Sequence, residues 1–205
     1  MPIVFSCFSP HAPILLPDVG SKEDREKVKK TIKSLEKLGK KLKEINPDLI
    51  IISSPHPDWG FNVPLQFLAP DFKGEIQTIL TGLEEPKFYY EERKKFYKLK
   101  IEDCKLKIAL IASGDLSHCL RPDGPYGFHP DGPKFDKELI ESLKKKDVEK
   151  ILKLDEMYPG AGECGLRSFC FALGILEASG INYQPEILSY EGPFGVGYLV
   201  VNFNL

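Results

Sequence analysis

The chain has 205 residues, of which 42% are hydrophobic and 28% charged, and a formal net charge of −2. That length sustains one large buried core, and the charge balance gives no electrostatic basis for binding nucleic acid or an anionic membrane. No basic n-region precedes the first apolar run, no apolar run approaches the ~20 residues that span a bilayer, and five cysteines at irregular spacing without CxxC point to reduced thiols and a cytoplasmic protein.

The first apolar run, Pro2 to Phe8, reads as a strand and leads into Ser9-Pro10-His11. The prolines at 10 and 13 hold His11 in extended backbone. Ser21 with Asp24 three residues on resembles a capping box. The helix predicted after it places Val28, Ile32, Leu35, Leu38, Leu42 and Ile45 on one stripe, and Asn46-Pro47 stops it. Leu49 to Ile52 forms the second strand and ends in Ser54-Pro55-His56. This βαβ unit predicts two parallel strands. As neighbours they would lie ~4.8 Å apart, close enough for both imidazoles to reach one metal ion. Either histidine alone reads as a surface residue or a strand-end hydrogen-bonder. The same tripeptide after two parallel strands points to a site.

Residues 57–106 carry weaker patterns. Trp59, Phe61, Leu65, Phe67 and Leu68 are apolar enough to line a pocket or pack beneath a loop, Ile76 to Leu80 reads as a short strand, and Tyr89 to Leu99 has mixed helical periodicity. Ile108 to Ser113 is a third apolar run without alternation, as expected of a strand covered on both faces. Gly114 then turns the chain into a long loop rich in Pro, Gly and Asp. Three of the chain's four histidines thus follow the carboxyl end of a predicted core strand, the edge where open α/β sheets bind ligands.

In that loop His118 suits either a third ligand or an acid/base group. Asp115 either orients it or makes a local Asx-turn. His129 is a candidate substrate-loop residue or a plain exposed histidine. Amphipathic helices follow over Phe135 to Lys145 and after Asp147. Pro159-Gly-Ala-Gly162 precedes Glu163, Cys164 and a helix from about Gly165 to Ala178. A carboxylate at Glu163 is favoured by the helix dipole, and a first-turn glutamate is also common for structural reasons. Strands over Glu186 to Tyr190 and Gly197 to Phe203 form a closing hairpin. The expected architecture is a single α/β domain over residues 1–205, with a mostly parallel central sheet, helices on both faces and a C-terminal hairpin.

Taken together, SPHAP, SPHP, SGDLSH, HPDGPKFD and GECGLRSF, in that order along nearly the whole chain, resemble the LigB-like class III extradiol ring-cleavage dioxygenase superfamily. The resemblance implies a non-haem Fe(II) centre held by His11, His56 and Glu163, with His118 as catalytic acid/base. It implies an aromatic diol and O2 as substrates, and a homo-oligomer or a second subunit as partner. A 2-His-1-carboxylate set is the ligand chemistry of iron oxygenases. Ring-cleaving members commonly carry a further histidine before the catalytic loop, and residues 57–117 contain none. The related Memo-like branch keeps two histidines and uses a cysteine near the carboxylate position, which here is Cys164. A thiol at a helix N-terminus is expected to have a lowered pKa and to bind metal readily. With Cys164 as ligand, zinc or copper is favoured, and the protein is a metal-binding protein acting through partners without ring cleavage. A zinc hydrolase using His11, His56 and a third ligand with bound water is a third reading.

Overall fold

A computed structural model describes residues 2–102 and 105–205 of the chain. Its centre is a six-stranded sheet in the order β3-β2-β4-β1-β6-β5, formed by β1 (Ile3–Ser9), β2 (Leu49–Ser54), β3 (Glu75–Leu80), β4 (Ile108–Ser113), β5 (Gln184–Glu191) and β6 (Tyr198–Asn204). β1, β2, β3 and β4 run parallel, while β6 pairs antiparallel with both β1 and β5. The C-terminal hairpin therefore joins the parallel half and ends the sheet, as the sequence predicts.

One expectation is corrected. β1 and β2 are not neighbours, because β4 lies between them. Two strand spacings, about 10 Å, separate the two Ser-Pro-His loops at their roots. β4 pairs in register with both neighbours: Ser9 faces Ser113, and Ser53 faces Ala112. The three strands that carry the histidine loops thus end level with one another.

Both faces of the central strands are covered, which explains their unbroken apolar runs. On one face α2 (Lys29–Ile45) and α3 (Trp59–Leu68) pack through Leu35, Leu38, Leu42 and Val63 onto Phe5, Ile50, Ile52 and Ile111. On the other, α4 (Pro86–Phe96), α5 (Asp131–Lys145) and α8 (Leu166–Ser179) pack onto Phe8, Ile51 and Leu110. There Phe8 stacks on Phe169 at 4.3 Å between ring centroids. Among the described residues no helix is long and apolar enough to cross a membrane.

The helix expected from Ser21 to Ile45 is two. Ser21 and Asp24 form the capping box of α1 (Lys22–Lys27). Val28, wholly buried, then breaks the helical geometry (φ −112°, ψ 17°). The new helix start is satisfied from afar, because the Glu191 carboxylate accepts from both Thr31 N and Thr31 Oγ1 at 2.8 Å. Two short helices, α6 (Val148–Ile151) and α7 (Leu154–Met157), follow α5, with Asp147 capping the first through Lys150 N. The apolar stretch after His56 is α3, a ten-residue helix with Pro64 inside it. Cys7, Cys119, Cys164 and Cys170 are free thiols; Cys104 lies outside the described residues.

Candidate metal centre

Each histidine loop is fixed by its own hydrogen bonds. After β1, His11 N donates to Asp115 Oδ1 at 3.0 Å. After β2, His56 N donates to Ser54 Oγ at 3.2 Å. Gly60, in the first turn of α3, lies so close that a Cβ there would stand 2.2 Å from Ser54 Oγ and 3.1 Å from His56 Cβ. Trp59 stacks on the His56 ring at 5.3 Å. After β4, the loop is sewn to three distant segments: Leu116 N donates to Gly197 O, His118 N to Gly162 O, and Ser117 N to the buried Asp136 carboxylate.

A backbone crossing brings in the fourth segment. A Cβ on Gly114 would stand 2.2 Å from Gly165 Cα, so glycine is required where these chains meet. Gly165 N donates to Asp115 O at 3.0 Å. Cys164, one residue earlier, is thereby set beside Asp115 N, which donates to its Sγ at 3.4 Å.

The outcome is a convergence of His11, His56 and Cys164, whose ligand atoms all lie within 4.8 Å of one another. The imidazoles meet at 5.2 Å between centroids, although their strands are not adjacent. His11 Nε2 is 3.4 Å from Cys164 Sγ and 3.8 Å from Asp115 Oδ2. Burial, followed by the nearby His56, lowers the His11 pKa to about 3, so the ring is neutral and able to ligate. The expectation of a low-pKa thiol is corrected. Burial, then the Asp115 carboxylate, pushes the Cys164 thiol well up, outweighing any helix dipole. A bound cation supplies the positive charge that inverts this balance. Burial also raises Asp115 against the hydrogen bonds it accepts from the His11 and Ala12 backbone.

The remaining sequence candidates divide. His118 stands at the same edge, ring edge-on to Tyr126 at 5.5 Å, with its buried Nδ1 lacking a hydrogen-bond partner among the described residues. Burial lowers its pKa, and the Asp115 charge opposes that shift. Asp115 spends its carboxylate on the His11 loop, not on the His118 ring. Glu163 is not in the convergence. Its Oε2 accepts from Leu166 N at 2.7 Å at the start of α8, and its Oε1 from Arg167 Nη1 at 3.1 Å. The expectation that the helix end favours an ionised carboxylate is corrected: burial raises the Glu163 pKa against the Leu166 hydrogen bond and the Arg167 charge, and those two contacts tie Glu163 to the helix. His129 Nδ1 accepts from Asp131 N as α5 begins, and its ring fills the space above Gly160. Sequence reasoning missed Ser113, whose Oγ lies 3.0 Å from His11 Nδ1; its position at the end of β4, level with Ser9, was the available signal.

In class this is an α/β domain whose parallel strands end in histidine loops that meet a cysteine from just before α8 in a candidate His-His-Cys site. The particular family is given by comparison. Residues 56–201 match the model of LigB, the catalytic LigB subunit of aromatic ring-opening dioxygenase, and the chain belongs to that family. Protein CA_C1420 of Clostridium acetobutylicum is 32% identical over 262 residues, covering 94% of this chain and 55% of that protein. The chain therefore spans about half the length of this curated relative. The crystal structure of the uncharacterized protein JW3007 from Escherichia coli K12 superposes with a TM-score of 0.64 at 17% identity, covering 98% of this chain and 99% of the other, and shows the shared fold.

Proposed function

We propose that this chain is a mononuclear metal-binding member of its family, in which His11, His56 and Cys164 hold one divalent transition metal. The observation that carries the reading is the convergence of those three donor atoms within 4.8 Å. The donor chemistry fits the group: a neutral imidazole at His11, a second imidazole, and a sulfur able to become thiolate. Two imidazoles with a thiolate form a softer set than two imidazoles with a carboxylate, and favour zinc or copper over Fe(II). That supports a Memo-like protein without ring cleavage. When bound, the metal supplies Lewis acidity and a site for an oxygen ligand. His118 and Asp115 beside it hold and pass protons, with the unpartnered His118 Nδ1 available to one further group.

The second reading is extradiol cleavage of an aromatic diol with Fe(II) and O2. The family match supports it, and so do Trp59 and Tyr126, which bring aromatic surface against His56 and His118. Metal content after anaerobic purification decides the first reading. Stoichiometric metal, lost in Cys164→Ala and kept in Glu163→Gln, is expected; the reverse pattern would return Glu163 to the ligand set. Oxygen uptake by the Fe(II)-loaded protein across a panel of catechols decides the second.

A further inference from the structure

Ser113 closes β4 and is wholly buried. Its Oγ touches two groups, His11 Nδ1 at 3.0 Å and the Gly60 carbonyl oxygen at 2.5 Å. A hydroxyl has one hydrogen, and a carbonyl can only accept. The Gly60 carbonyl also needs a donor. Its helical partner would be the N–H of residue 64, four positions on, and residue 64 is Pro64. A buried carbonyl left without a donor is costly, and the Ser113 hydroxyl fills the gap. With its hydrogen on Gly60, Ser113 Oγ can only accept from His11. The His11 proton must then sit on Nδ1, which leaves the Nε2 lone pair free, 3.4 Å from Cys164 Sγ.

The same hydroxyl spans two loops. Gly60 packs against the His56 side chain, so Ser113 ties the ring of one histidine to the turn that supports the other. We propose that Ser113 is the positioning residue of the metal site. Its hydroxyl, committed to the carbonyl that Pro64 leaves free, fixes His11 as the Nδ1–H tautomer and holds the two histidine loops at one spacing. This rests on the metal-site reading for its consequence, and its first test does not involve metal.

In the metal-free full chain, the ring ¹⁵N shifts of His11 should show the Nδ1–H tautomer alone. A wild-type ring in the Nε2–H form would overturn the proposal without any variant. Ser113→Ala should give a mixed or reversed tautomer with an unchanged circular dichroism spectrum. It should also weaken Zn(II) binding by about 10–100-fold, as loss of a hydrogen bond to a ligating histidine typically does. Ser113→Thr, which keeps the hydroxyl, should restore both. Ser113→Ala with a pure Nδ1–H ring, whatever its zinc affinity, would show that the hydroxyl does not set the tautomer. Full zinc content in His11→Ala, by contrast, would remove the metal site and leave the tautomer assignment standing.

Discussion

β2 and β3 run side by side in register over six residues, yet one is sealed and the other open. Five of the six β2 residues are buried; none of the β3 residues is, and Ile76 and Leu80 are 38% and 56% exposed. β2 sits inside the sheet between β4 and β3, under helices on both faces, and ends in His56. β3 is the outer edge and delivers no site residue. The difference teaches where a metal centre can be built: ligands need a dry, close-packed base that holds their loops to a fraction of an ångström, and an edge strand does not provide one.

The largest expected effect is on the site itself. His11→Ala or His56→Ala should abolish stoichiometric metal binding while the fold survives, as measured by metal analysis of the purified protein. His118→Ala should leave the metal in place and reduce any turnover by about 10²–10⁴-fold, the usual worth of a positioned proton donor or acceptor. Metal loss in that variant would make His118 a ligand. The comparison of strands is broken or sharpened by truncation. Ile52→Ala, in β2 and fully buried, should cost about 2–5 kcal/mol in denaturant unfolding and weaken metal binding. Ile76→Thr, in β3, should fall within about 0.5 kcal/mol and leave metal binding unchanged. Equal costs at the two positions would contradict the account.

A smaller effect concerns pH. Burial raises Asp136, which holds the His118 loop through Ser117 N and accepts from Tyr190, to about 7. The folded state therefore binds a proton that the unfolded state has released between pH ~4 and ~7. Stability from this group is present at low pH and is lost as pH rises through about 7. Asp136→Asn should flatten that part of the stability-versus-pH curve relative to the parent. A parallel curve would show that Asp136 keeps an ordinary pKa.

Much of the scaffold was legible in the sequence because burial on both faces writes itself as an apolar run, as in β1, β2 and β4, and because Ser21 with Asp24 is a local cap. The His11–His56 pairing was legible from the repeated tripeptide, although by a wrong route, since nothing local encodes that β4 inserts between their strands. α3 was hidden by Gly60 and Pro64, residues that punctuate loops elsewhere; here one permits close approach and the other leaves a carbonyl for Ser113. The choice between Glu163 and Cys164 was illegible for a long-range reason. It depends on Gly162 at φ +61° and on the contact between Gly114 and Gly165, which are 51 positions apart by their numbers. Those contacts turn the thiol to the histidines and leave the carboxylate to Leu166 and Arg167.

The central claim is that a thiolate completes the metal site. X-ray absorption at the zinc edge of the Zn(II)-loaded full chain tests it most directly. One sulfur at ~2.3 Å together with imidazole nitrogens at ~2.0–2.1 Å is the predicted first shell, with the sulfur lost in Cys164→Ser and kept in Glu163→Gln. A shell of nitrogen and oxygen alone, unchanged in Cys164→Ser and depleted in Glu163→Gln, would contradict it.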